Sequence, residues 1–175
     1  MKNLTQKLCL TLTLALLLFT STCFAKITTD DLCIGGISFG QPISEVIAKY
    51  GEPEKKPDGW GGFYNSFSGI RGEIRVSEGD TVTWVRVAGD SRYATKKGIR
   101  IGSTSDEVEA AYGTAERHVF TRDENNNPIH INALRYPTFV LETISTGTFK
   151  RGIELMFVLD KNKKVTDIYF MYAGE

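Results

Sequence analysis

His118 and His130 are the only histidines of the chain. With Glu116 and Asp123 they offer the side-chain types that hold a zinc ion or move a proton. Their spacing fits no zinc motif, and no helical pattern sets two of them on one face. They read as surface side chains of a polar loop, and neither a metal nor a catalytic residue is expected there. There is no Gly-x-Ser-x-Gly elbow, and neither histidine stands near a serine or thiol in a catalytic pattern. Gly59-Trp60-Gly61-Gly62 has the glycine of a phosphate loop but lacks the Lys-Ser/Thr and the helix such a loop needs, so it reads as a bend leading into a strand. No motif implies a cofactor, and the chain is expected not to be an enzyme. Cys33 would be the lone cysteine once a leader carrying Cys9 and Cys23 is removed. Beside Leu32 and Ile34 it reads as a buried small hydrophobe, the other reading being a reactive thiol or an intermolecular bridge.

Aromatic and arginine residues in period two offer a different chemistry. Thr81 to Ala88 and Lys164 to Tyr172 have the composition of strands. If Val85, Val87, Ile168 and Phe170 face inward, alternation turns Val82, Trp84 and Arg86, with Val165, Asp167 and Tyr169, to the opposite face. In neighbouring strands Ile74, Val76, Ile153, Leu155, Phe157 and Leu159 look inward and leave Arg75, Glu154 and Met156 outward. Trp84, Arg86, Arg75, Met156 and Tyr169 are therefore expected to share one open sheet face. Their types are those enriched at protein interfaces. The mechanism they suggest is burial of aromatic anchors by a partner protein, with Arg75 and Arg86 pairing to its acidic groups. The alternative is that the aromatics only pair across strands or close the sheet against another element.

The elements that must carry this face occur twice. Gly36/Gly98, Ile37/Ile99, Gly40/Gly102, Glu45/Glu107, Val46/Val108, Ala48/Ala110, Tyr50/Tyr112 and Gly51/Gly113 coincide without a gap, which marks an internal duplication. In the first copy Pro42 suits the first helical position, Ile43, Val46, Ile47 and Tyr50 fall at i, i+3, i+4 and i+7, and Gly51 ends the helix in a left-handed conformation. In the second, Ser103 or Thr104 caps the start with Asp106 or Glu107 returning the bond, and Val108, Ala111 and Tyr112 form the stripe before Gly113. Strand-like stretches follow each helix: Trp60 to Phe67, Arg71 to Ser77 and Thr81 to Ala88 in the first copy, and Ile129 to Tyr136, Phe139 to Ser145, Ile153 to Leu159 and Lys164 to Tyr172 in the second. Ser77-Glu78-Gly79-Asp80 and Asp160-Lys161-Asn162-Lys163 stand at equivalent turns, and Asp123 to Pro128 is the most polar, turn-rich stretch. The boundary falls between Asp90 and Lys97, giving units 26–92 and 93–175.

The repeated spacing apolar-x-x-Gly-x-x-x-x-x-Val-x-x-x-x-Gly, from Ile37 to Gly51 and from Ile99 to Gly113, resembles the tandem domains of the β-lactamase inhibitor protein family. It is also similar to the single domain of the SmpA/OmlA outer-membrane assembly lipoproteins. The resemblance implies an α+β fold: two tandem repeats, each a short helical segment packed on an antiparallel β-sheet, with the sheets joined into one concave surface that grips a partner. The matching residues are scaffold residues. Inhibitor domains each carry a disulfide, which a chain with Cys33 alone cannot form, and the loops that enter a target enzyme have no recognisable counterpart here. What carries over is the architecture and the idea of a binding sheet face, in an exported protein-binding, inhibitor-like module. The alternative is a cell-envelope structural or assembly component like the lipoproteins.

Residues 1–25 read as a signal peptide: Lys2 and Lys7, an apolar run from Leu8 to Phe19, and Cys23-Phe24-Ala25 as the cleavage signal before Lys26. A secreted or periplasmic location follows; acylation of Cys23 would instead make a lipoprotein, but Thr20-Ser21-Thr22 is a poor lipobox. Basic and acidic residues balance at 21 each in the whole chain. Loss of Lys2 and Lys7 leaves a slightly acidic protein, which removes the electrostatic driver for nucleic acid or anionic membrane. No other stretch is long and apolar enough to span a bilayer, so no integral membrane association is expected. An unrecognised hydrolase, centred on His118 and His130, is the remaining class.

Overall fold

Thr104 opens a helix with a capping box. Its hydroxyl accepts from the Glu107 amide at 3.3 Å, and the Glu107 carboxylate accepts from the Thr104 amide at 2.8 Å. Two N–H groups that a helix start leaves unpaired are thereby satisfied. This helix, α2, spans Ser105–Tyr112; α1 spans Ile43–Tyr50 and begins directly after Pro42, which lies just outside it. Both end at a glycine, Gly51 (φ 85°, ψ −176°) and Gly113 (φ 83°, ψ −172°). Positive φ is as expected, but the extended ψ is a conformation nearly confined to glycine. The amides of Gly51 and Gly113 donate to Ile47 and Glu109, each at 2.8 Å.

The computed structural model describes residues 27–173 except 60, 123–127 and 145–146; residues 1–25, expected to be a signal peptide, with Cys9 and Cys23, and also Trp60 and Asp123 lie outside the described residues. Strands β1 (Cys33–Ile34) and β2 (Ile37–Ser38) make a small sheet. The others are β3 (Glu54–Pro57), β4 (Phe63–Gly69), β5 (Gly72–Ser77), β6 (Val85–Ala88), β7 (Glu116–Arg122), β8 (Pro128–Ile144), β9 (Gly147–Leu159) and β10 (Val165–Tyr172). They form one antiparallel sheet in the order β3-β4-β5-β6-β10-β9-β8-β7. The protein is thus an α+β fold with an eight-stranded sheet and two helices. Its strands after α1 run outward to inward, and those after α2 are ordered in reverse, meeting at β6–β10 with Val85 opposite Phe170, Arg86 opposite Tyr169 and Val87 opposite Ile168.

Alternate residues of the sheet face the helices. Ile74, Val76, Val85, Val87, Ile168 and Phe170 join Ile43 and Val46 of α1 and Val108 and Tyr112 of α2 in a single buried cluster. The inward set read from the sequence, Ile153, Leu155, Phe157 and Leu159 included, is buried. Tyr112 packs its ring 5.4 Å from Phe157 and 5.5 Å from Tyr136, centroid to centroid, and Tyr50 lies 5.9 Å from Phe67. The small sheet's turn adds Phe39, edge-on to Tyr172.

Several expectations are corrected. Val82 and Val165, read as outward, are fully buried in the core. The reason is that Val82 lies before β6, and Val165, though paired with Leu159 at the start of β10, is separated from the rest of that strand by a bulge. The Gly40 amide donates to the Val82 carbonyl (2.7 Å) and the Val82 amide to Gln41 (2.9 Å), while Gly102 donates to Val165 (2.8 Å) and Val165 to Ser103 (2.8 Å). The chain preceding each helix therefore holds the residue and breaks the period-two phase, and a register shift separates Val165 from Asp167. Two separate strands were expected at 129–136 and 139–145; β8 instead runs unbroken through Pro137. Its pairing with β7 stops at Arg135, so beyond that point β8 is an edge, where a missing N–H is tolerated. Strands β3 and β7 were not foreseen. Glu116 and His118 lie in β7, and His130 lies in β8, so they belong to a paired hairpin rather than a polar loop. Cys33 is free and half-buried rather than enclosed. Where a bend was expected, the Gly62 amide donates to the Asp58 carboxylate at 2.9 Å and the Asp58 amide to the Gly62 carbonyl at 3.0 Å.

Candidate functional site

Register and alternation build the face that neither helix covers. One row crosses the sheet strand by strand: Glu54 and Ser66, then Arg75, Arg86, Tyr169 and Met156, then Arg135 and Glu116. Four of the five site residues expected from the sequence, Arg75, Arg86, Tyr169 and Met156, are consecutive in it. Trp84 precedes Val85, whose side chain is in the core, and sits two residues from Arg86. Its ring lies 6.1 Å from that of Tyr64, over which the Arg75 guanidinium is placed at 5.3 Å.

Carboxylates of the same chain hold the arginines. Arg86 reaches Asp167 Oδ1 with Nη2 at 2.6 Å and Nε at 3.1 Å. Arg75 places Nε and Nη2 on Glu73 Oε2, each at 2.8 Å, and Glu73 also accepts from Ser66 at 2.5 Å and Lys56 at 3.4 Å. Burial alone would raise the Glu73 carboxyl, but the Ser66 and Arg75 hydrogen bonds outweigh it and hold the group below the ordinary carboxylate range. Arg135 binds both Glu154 and Glu116, the latter at 3.1 Å, and its pKa is raised mainly by the Glu154 hydrogen bond. The face is therefore a mesh of internal ion pairs rather than a set of unengaged cations.

Met156 has to be reassigned. At 2 % exposure it lies on the open face yet is closed over, flanked in register by Tyr169 and Arg135, and it serves as floor rather than contact. Tyr169 is half-buried; burial, with the charge of Glu154 adding to it, pushes its hydroxyl up to about 12, so it is a neutral hydrogen-bond donor at any physiological pH. Trp84 and Arg75 are half-buried and Arg86 is exposed. No family model, curated protein or solved structure matches the chain. The functional reading accordingly rests on this geometry and on the sequence pattern.

Glu116 and His118 share the open side of β7, but Glu116 is committed to Arg135. Among the described residues no three His, Cys, Asp or Glu side chains are grouped to hold a metal ion, and no helix is long and apolar enough to cross a membrane. Sequence reasoning missed Tyr64, which carries both Trp84 and Arg75, and Glu73. Glu73 was within reach of the same argument, since i and i+2 along a strand share a face. Tyr64 depended on the register between β4 and β5, which no local signal supplies.

Proposed function

We propose that this chain is an exported, non-enzymatic binding module built from two copies of one α+β unit, 26–92 and 93–175, that holds another protein on the joined, concave open face of its sheet. The two-copy reading is supported by matched hydrogen bonds at matched residues. Gly40 with Val82 corresponds to Gly102 with Val165, Ile43 with Asp80 (2.9 Å) to Ser105 with Lys163 (2.9 Å), and Gly51 with Ile47 to Gly113 with Glu109. Arg86 and Tyr169, which occupy the same position in the duplicated last strand, meet at the junction of the two halves. The resemblance to β-lactamase inhibitor-like domains points the same way, toward an inhibitor-like grip without chemistry. The apolar leader supports delivery outside the cytoplasm, secreted or periplasmic.

The observation that carries the binding reading is the row Arg75–Arg86–Tyr169 with Trp84 and Tyr64 beside it, on the side of the sheet opposite the helices. Trp, Tyr and Arg are the types that dominate interface energetics. Purified mature protein should capture a partner from the source organism's envelope or culture fluid. Trp84→Ala and Arg86→Ala should weaken that capture by about 2 kcal/mol or more at a true hot spot, with the fold retained. Unchanged capture by both variants would remove the face as the site. Cys23, two residues before the expected cleavage, favours a second reading, an acylated envelope assembly component; a diacylglyceryl-Cys23 start of the native protein would establish it.

A further inference from the structure

We infer that the part of β8 beyond β7, Thr138–Ile144, pairs antiparallel with the same stretch of a second copy of this chain; the open face has no part in this pairing. The pairing of β7 with β8 ends at Glu116 opposite Arg135, and the chain entering β7 comes from the helix side, where the Tyr136 hydroxyl donates to the Gly113 carbonyl at 2.9 Å. On the other side β10 leaves β9 at Ile153, with one further bond from the Ala173 amide to the Gly152 carbonyl. The pairing of β8 with β9 continues to Ile144 opposite Gly147. The two strands therefore leave the sheet as an arm, and among the described residues no strand lies beside either of its edges. Ile27 reaches β8 from the helix side, its carbonyl accepting from the Thr138 hydroxyl at 3.2 Å, and leaves the lane beside β8 open. A two-stranded ribbon is marginal in water, and three or more strands are needed for stability.

The edges of the molecule differ in composition. Charge, proline and short length keep an edge from pairing. Strand β3 is Glu-Lys-Lys-Pro, β7 carries Glu116, Arg117, His118 and Arg122, and β9 within the arm carries Lys150 and Arg151. Thr138-Phe139-Val140-Leu141-Glu142-Thr143-Ile144 is instead apolar or β-branched except for Glu142, and Phe139 is 49 % exposed. Another copy of this stretch fits the lane. Antiparallel pairing about a two-fold axis normal to the sheet keeps helix side with helix side only if residues of equal phase meet. Centred on Leu141, it sets Leu141 opposite Leu141, Phe139 opposite Thr143, Thr138 opposite Ile144 and Val140 opposite Glu142. The single charge does not meet itself, and register places Arg151 of the second copy next beyond that copy's Val140, in the same row as Glu142. Centring on Glu142 would oppose like charges. Centring on Val140 would bring Ile144 opposite Tyr136, against the start of β7. The pairing is isologous, so it closes at a dimer in which four strands replace each arm's two.

Sedimentation velocity of the protein produced by its native host should show a dimer that dissociates on dilution between about 100 and 1 µM. Amide hydrogen exchange over Thr138–Ile144 should slow as the dimer fills. Leu141→Lys and Leu141→Glu, which put like charges together at the axis, should each weaken the dimer by about tenfold or more, and an equal mixture of the two variants should restore it. Ile70→Lys, at the β4–β5 turn, should leave it unchanged. Circular dichroism checks that each variant is folded, and the exchange measurement on the unaltered protein decides the matter should a Leu141 variant fail to fold. Monomer throughout, a dimer indifferent to both Leu141 variants, or one that the mixture fails to restore would overturn the pairing. Exchange at Thr138–Ile144 that slows only with a captured partner, or only with vesicles of phosphatidylglycerol and phosphatidylethanolamine, would also overturn it and give the edge to a partner's strand or to a bilayer surface.

Discussion

Tyr50 and Tyr112 each end a helix one residue before a glycine but lie in different surroundings, and removing only the hydroxyl separates them. Tyr50 donates its hydroxyl to the Gly35 carbonyl, while the Tyr112 hydroxyl, fully buried, makes no hydrogen bond of ordinary geometry among the described residues, although the Thr95 side chain and the Lys97 backbone face it and partly offset its burial. Burial pushes that hydroxyl up to about 12. A typical buried hydrogen bond contributes about 0.5–1.5 kcal/mol, and a buried polar group without one costs about 1–3 kcal/mol. Tyr50→Phe is therefore expected to destabilise by roughly 1 kcal/mol, and Tyr112→Phe to be neutral or stabilising. Truncation to Ala reverses the order of tolerance. Tyr112 packs on Tyr136 and Phe157 and lies under the Lys97 ammonium, 4.4 Å from its centroid, so Tyr112→Ala should cost about 3–5 kcal/mol. Tyr50, half-buried, should lose less. Equilibrium urea unfolding followed by far-ultraviolet circular dichroism gives the differences, provided the m values agree. A loss above about 1 kcal/mol in Tyr112→Phe would mean the hydroxyl is paired, and the reasoning from its burial would fail.

Gly51→Ala and Gly113→Ala should each cost about 1–3 kcal/mol, because positive φ with extended ψ strains any side chain; unchanged unfolding midpoints in both would contradict the helix-end geometry. Glu73 has its pKa lowered in the folded state, so its stabilising contribution is full above the unfolded value and disappears as pH falls through the folded one. Stability should decline below about pH 4, and Glu73→Gln should flatten that decline; an identical acid profile would show the Arg75–Glu73–Ser66 contacts to be inert. Protein from its native host should have the intact mass of a chain starting at Lys26, unmodified, and an acylated mass starting at Cys23 would contradict cleavage before Lys26 and favour the lipoprotein reading.

Much of the fold was legible where glycine and alternation act locally. Gly51 and Gly113 bounded the helices, Ser103 or Thr104 with Asp106 or Glu107 announced a cap that Thr104 and Glu107 form, and Val85 with Val87 set the phase that turns Arg86 outward. Reading failed where distant backbone decides. Val82, before β6, and Val165, at the start of β10 ahead of a bulge, follow the loops before the helices, through Gln41 and Ser103, and not the alternation of the strand residues after them. Pro137 looked like a strand break because its edge position depends on where β7 stops. The polar composition of Glu116–Arg122 hid a strand that lies at the rim of the sheet. At the site, period two placed Trp84, Arg75, Arg86, Met156 and Tyr169 on the expected side. Whether a side chain is spent is a matter of register: Arg86 meets Asp167 from another strand, and Met156 disappears between Tyr169 and Arg135.

Side-chain oxidative footprinting of the protein, alone and with its captured partner, tests the binding face most directly. The account expects Trp84 and Tyr64 to be protected in the complex, while Ile70, 98 % exposed at the β4–β5 turn, keeps its free reactivity. Protection at Ile70 or at the exposed Phe139 of β8, with Trp84 and Tyr64 unchanged, would place the partner elsewhere and contradict the open sheet face as the binding surface.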